Sequence, residues 1–207
     1  MTISRSTLSR SLLALALITA SSYAIAQKAP VPTRVRGAIE AVNGDVLTVK
    51  SRTGEDIKLH MTADMKVVGI IKISMADIKV GSFVGATTVP GPDGKQNAVE
   101  VHVFPESMRG TGEGSRPWDL KPNSTMTNAT VAESVDSNDG HSLTVKYKDG
   151  EKKVEVTPDT AIVTYVPAEK SDLKPGAQVI AFMKQLPDGS FETNRVGVGR
   201  DGVTPPM

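Results

Sequence analysis

Arg109, Glu113, Arg116, Trp118 and Asp119 fall in one stretch, Pro105 to Asn128, that is punctuated by Gly110, Gly112, Gly114 and Pro117. Glycine lets backbone N–H groups turn toward an anion, and the planar guanidinium fork suits a carboxylate or phosphate. Trp118 is the only tryptophan, and tryptophan beside arginine is a common anchor in interfaces. These five residues form a candidate surface for a ligand or partner. The competing expectation is that Trp118 packs in the cleft between flanking modules, since a lone large aromatic tends to be buried. Gly110–Gly114 is not a nucleotide loop, because it lacks the lysine-serine/threonine ending and the strand-to-helix setting.

Other residues invite metal or acid–base chemistry. His60, Met65 and His102 offer imidazole and thioether ligands of the kind that suit copper. No His-x-His or Met-x-x-Met cluster accompanies them, and Met61 falls on the buried face of its strand. Copper handling is therefore the alternative to a binding role, and no cofactor is expected. An acyl-transfer triad would draw on His60, His102 or His141, and no Gly-x-Ser-x-Gly elbow is present. Asp77 and Asp172 are equivalent in a repeat and are expected to cap a helical turn. An envelope hydrolase is the weakest reading, and the chain is read as non-enzymatic.

The elements that must carry these residues come from a pattern written twice. Leu47-Thr48-Val49-Lys50, Thr62-Ala63-Asp64, Asp77-Ile78-Lys79-Val80-Gly81, Asp93-Gly94 and Val101-His102-Val103 form the first copy. Leu143-Thr144-Val145-Lys146, Thr157-Pro158-Asp159, Asp172-Leu173-Lys174-Pro175-Gly176, Asp188-Gly189 and Val196-Gly197-Val198 form the second. Val35, Gly37, Ile39 and Ala41 alternate with Arg34, Arg36, Ala38 and Glu40, the period of a half-buried strand. Asn43-Gly44 and Thr53-Gly54 are turn signals, so each copy opens as a three-strand meander. Lys66–Ser74 reads as a further strand bent at Gly69, followed by a helical turn and two more strands. That order suits an OB-like barrel of five or six strands. The fold expected is all-β, with two tandem small OB-like barrels joined by a long central loop. The divisions are 33–104 for the first module, 105–129 for the loop, 130–199 for the second module and 200–207 for a tail.

The Val35-x-Gly37-x-Ile39 opening, Leu-Thr-Val, Thr-x-Asp, Asp-Ile/Leu-Lys-x-Gly and the Asp-Gly before a last Val-x-Val strand resemble a family of OB-like modules of exported bacterial proteins, catalogued as a domain of unknown function. The resemblance covers each copy and rests on turn and core residues, so it implies a fold and no activity. Met108 to Leu120 also resembles a segment of small exported proteobacterial proteins, some labelled metal transporters; the hydropathy here does not support a permease.

Residues 1–26 read as a secretory signal peptide. Arg5 and Arg10 precede the apolar run Ser11–Ala20, and Ala24-Ile25-Ala26 is a cleavage site. The expected address is periplasmic, with no membrane span after cleavage. The chain has no cysteine, which excludes disulfides, thiolate metal sites and cysteine nucleophiles. Without the leader, acidic residues outnumber basic ones by one, so the charge excess of a nucleic-acid binder is missing. The partner expected is an unidentified envelope ligand or protein.

Overall fold

A computed structural model describes residues 33–92, 94–137 and 140–207. The leader of residues 1–26 and the Asp93 landmark lie outside them. Strands carry the fold, and helical structure among the described residues is limited to short 3-10 turns at Met75–Asp77, Glu106–Met108 and Lys170–Asp172. None of the described helices is long and apolar enough to cross a membrane.

The first copy supplies β1 (Arg34–Asn43), β2 (Val46–Ser51), β3 (Asp56–Lys72), β4 (Phe83–Pro90) and β5 (Gln96–Val103). The central stretch supplies β6 (Gly114–Pro117) and the start of β7 (Thr125–Ser137). The second copy continues with β8 (Gly140–Tyr147), β9 (Gly150–Val156), β10 (Ala161–Pro167), β11 (Gln178–Gln185) and β12 (Phe191–Gly199). The Asn43-Gly44 signal makes the β1–β2 hairpin, with Gly44 at φ 61°. Along β1 the alternation buries Val35, Gly37 and Ile39. Gly37 is required there by close approach, since a Cβ would lie 1.8 Å from the Lys50 carbonyl oxygen.

The barrel does not follow the copies. The meander β1–β2–β3 closes through β12, parallel to β3, and β11, which pairs with both β12 and β1. This closed five-stranded barrel therefore combines three strands of the first copy with two of the second. Its core mixes Leu47, Val49, Leu59 and Met65 with Val179, Met183, Val196 and Val198. From β3 the sheet continues through β10 into β5–β4–β7–β8–β9, with β6 on β7, again mixing the copies, and β5 and β9 touch at Asn97↔Glu155. Two barrels in tandem, one per copy, are not what these pairings make.

The cause lies in β3, which runs unbroken for 17 residues. Its first half pairs with β2 and its last residues with β10, while β12 runs alongside both halves, from Leu59 to Ile70. The bend expected at Gly69 does not divide it. In the second copy Pro158 removes a ladder donor between β9 and β10, and the chain turns there instead. A third cluster, with Ile70, Phe83, Phe104, Met126, Tyr165 and Met207, packs where the exchanged halves meet.

The long central loop is also corrected. β6 pairs with β7 from Gly114↔Asn128 to Pro117↔Thr125. Met126, Thr127 and Ala129 are fully or nearly fully buried. A strand covered on both faces shows no polar alternation, so period two could not reveal it.

Candidate functional site

Trp118 follows directly on the short edge strand β6. Its backbone N–H donates to the Ser124 carbonyl at 2.8 Å, and the Ser124 hydroxyl donates to the Trp118 and Lys121 carbonyls at 3.0 and 2.7 Å. This closed turn holds the half-buried indole against the third cluster. The Arg34 guanidinium lies 3.8 Å from the ring centroid and that of Arg116 5.8 Å, within reach of a cation–π attraction.

Arg34, which stacks on Trp118, also lines a groove of about 400 Å³ together with Arg36, Arg52, Glu55 and Asp119. A single oxygen of Asp119 accepts from Arg34 at 3.0 Å and from Arg36 at 2.8 Å. The Arg36 Nε–H donates to the Met207 carbonyl, and Arg52 donates to the Pro205 carbonyl at 2.9 Å. Arg52 forms no ion pair among the described residues. Burial pushes the Arg34 guanidinium below its ordinary value; Asp119 opposes that shift, while Arg36 and Arg116 repel it. Burial and the neighbouring Arg36 lower Arg52 in the same way. Burial disfavours the Asp119 carboxylate, but the bond and charge of Arg36, with Arg34, outweigh it and hold the group below the ordinary range. The groove thus sets three arginines, two of them partly desolvated, against the carboxylates of Asp119 and Glu55.

A smaller cavity of about 210 Å³ is lined by His102, Phe104, Arg116, Trp118, Asn128, Tyr165 and Arg195, among others. At its base Glu100 is fully buried. It accepts from the Thr87 hydroxyl at 2.9 Å and holds His102 Nδ1 at 2.6 Å. Phe104 and Tyr165 meet the imidazole in edge-to-face contacts, with centroids 4.6 and 5.5 Å away and ring planes at 73° and 69°. Burial and the Glu100 charge push the Tyr165 phenol up, so it stays a donor, here to Met207 Sδ.

Among the described residues, the buried side-chain polar atoms without a partner are Arg34 Nε, Thr62 Oγ1, Trp118 Nε1 and Asn128 Oδ1. All but the threonine belong to residues lining the groove or the cavity at Trp118. An unpaired buried polar group costs roughly 1–3 kcal/mol, so their grouping makes this place the candidate site. A larger groove of about 690 Å³ lies by Ser74, His141 and Thr157–Thr160. It holds none of these orphans, and its histidine is paired with Asp136 at 2.7 Å. Volume alone does not make it the better candidate.

Of the residues expected to act together, Arg116, Trp118 and Asp119 do meet. Arg109 and Glu113 line neither opening. Arg109 grips Glu106 at 2.6 Å and the Gly81 carbonyl at 2.9 Å, and Glu113 accepts from the Lys148 N–H at 2.9 Å. Both tether the stretch to neighbouring turns. The copper set does not assemble: His60 is exposed, Met65 sits in the barrel core and His102 beside Glu100. Among the described residues no group of three histidine or carboxylate side chains is placed to hold a metal ion.

For catalysis, Glu100–His102 is the orienting half of a triad, but the nearby hydroxyl of Thr87 bonds to Glu100 and Met126 Sδ rather than to the imidazole. Asp77 and Asp172 each serve a turn, accepting from the Ser74 and Glu169 N–H groups at 2.8 and 2.7 Å.

Arg34, Arg36, Arg52 and Arg195 were missed from sequence. They stand on alternating strand positions or in turns, indistinguishable there from solvated charges. The legible signal was Glu100-x-His102, since period two places both on the buried face of β5. The chain matches no family model, no curated protein and no solved structure.

Proposed function

We propose that this chain is an exported, non-enzymatic binding protein that recognises an acidic ligand or envelope partner in the arginine groove beside Trp118. The observation that carries the reading is Asp119, whose one oxygen is shared by Arg34 and Arg36 at 3.0 and 2.8 Å while Arg52 forms no ion pair among the described residues. The groove takes a carboxylate from its own chain and keeps cationic capacity beyond it. Guanidiniums held by packing and by the 205–207 backbone lose little freedom on meeting an anion, which favours recognition. The leader-like residues 1–26 support export to a periplasmic address, and the repeat's resemblance to OB-like modules of exported bacterial proteins agrees with a binding role.

The test is titration of the protein with a fluorescein-labelled hexaglutamate peptide at low and moderate salt. Binding should weaken with salt, as screened charge pairs do, and should fall in Arg34→Ala and Arg52→Gln. No binding at low salt, or binding by both variants equal to that of the native protein, refutes the groove as an anion site.

A further inference from the structure

The cavity on the inner side of Trp118 carries a second, independent specificity. Glu100 holds His102 Nδ1 at 2.6 Å, so that nitrogen bears a proton and a neutral ring keeps its lone pair on Nε2. Nε2 has no hydrogen-bond partner among the described residues. It packs closely over Gly85, where a Cβ would lie 2.2 Å from Nε2 and 2.7 Å from Asn128 Oδ1, so the glycine lets the imidazole and the amide approach each other in the cavity lining. The Asn128 amide nitrogen donates to the Thr111 carbonyl at 2.9 Å, which fixes the amide so that Oδ1 is the atom turned toward His102. Asn128 is only 5% exposed, and Oδ1 is unpaired. Two acceptors backed by a buried carboxylate therefore meet at one end of the cavity.

The opposite chemistry lines the same space. Arg116 donates to the Gly112 carbonyl at 2.7 Å and, like Arg195, has no ion pair among the described residues. Phe104, Trp118, Phe182 and Tyr165 add aromatic faces to the same lining, and Met126 and Met207 add thioethers. At about 210 Å³, against ~30 Å³ for a water in the liquid, the space suits a compound of one residue's size rather than an oligomer.

We propose that this cavity binds a small zwitterion of the free amino acid class with an apolar side chain. Its ammonium donates to His102 Nε2 and Asn128 Oδ1, with the Glu100 charge behind them. Its carboxylate lies on Arg116 and Arg195, and its side chain packs against Trp118, Phe104 and Tyr165. The site shares Trp118 with the flank of the anion groove but uses none of Arg34, Arg36 or Arg52, so the arginine variants there and the His102 and Arg116 variants here test the two separately.

The experiment is calorimetric and fluorescence titration of the full chain with L-leucine and L-phenylalanine, Trp118 being the sole tryptophan reporter. Saturable binding of one per chain is expected, with 4-methylpentanoate and isopentylamine each weaker than leucine by about tenfold or more, the equivalent of one lost charged contact. His102→Gln should weaken leucine and leave 4-methylpentanoate unchanged. Arg116→Met should weaken leucine and leave isopentylamine unchanged. If His102→Gln fails to fold, the analogue series on the native protein still decides. No saturable binding of either amino acid at millimolar concentration overturns the proposal, as does equal binding of leucine and its deaminated analogue.

Discussion

Because the closed barrel takes strands from both copies, cutting the chain between them should not separate it. Gly110 is an exposed point with open space around it, suited to an inserted protease site. After cleavage the C-terminal half still contributes Leu173, Val179, Met183, Val196 and Val198 to the barrel core. At roughly 2 kcal/mol per buried side chain, those five supply on the order of 10 kcal/mol. The N-terminal half returns a comparable amount, placing Ile78, Val84 and Val101 against Leu143, Val145 and Val154. Set against an association cost of ~4–15 kcal/mol, the balance at mid-range predicts a dissociation constant below about 1 μM. Size-exclusion chromatography of the cleaved protein should show one species of unchanged volume, and dilution should lower its melting temperature. Two fragments eluting separately under native conditions, each retaining its strand signal by circular dichroism, would falsify the exchanged pairing.

Asp119→Asn should raise hexaglutamate affinity by about tenfold at low salt by freeing two guanidiniums, and should change stability by only ~0–1 kcal/mol because the side chain is half exposed; titration and urea melts read both. Gly37→Ala should cost roughly 1–3 kcal/mol in urea denaturation, since the new methyl meets the Lys50 backbone. Trp118→Ala should lower the melting temperature and weaken hexaglutamate binding; lost stability with unchanged binding would confine Trp118 to a structural role. Asp77 and Asp172 are held below the ordinary aspartate value of 3.8, the first by the Ser74 hydroxyl and N–H, the second by the Glu169 N–H and Arg200. Depressed values contribute stability that is complete above the ordinary value and is lost as pH falls through the folded one, so acid melts should weaken below about pH 4, and less so in Asp77→Asn.

Much of the local structure was legible. Asn43-Gly44 made its hairpin because the turn needs positive φ. Asp77 and Asp172 capped their 3-10 turns because a carboxylate three residues on can reach back to an orphan N–H. The alternation of β1 placed Val35 and Ile39 inside. Within the candidate site, Arg116, Trp118 and Asp119 were legible as a dense cluster of unlike chemistry in one stretch, whereas Arg109 and Glu113 belonged to the same cluster and turned out to tether turns. Nothing local separates an arginine that grips its neighbour from one that lines a cavity.

The sequence by itself determined the strand periods, the turns and the duplication, because each depends on residues a few positions apart. Which copy's strands would close the barrel was decided only by tertiary structure. The repeated strands carry equivalent faces, so either partner satisfies the same local pattern, and the choice falls to β3 running on where Pro158 makes its counterpart turn. The site follows from that choice. Arg34 and Arg36 on β1, His102 on β5, Arg195 on β12 and Trp118 after β6 converge only once the halves have been exchanged, and no spacing along the chain records that convergence.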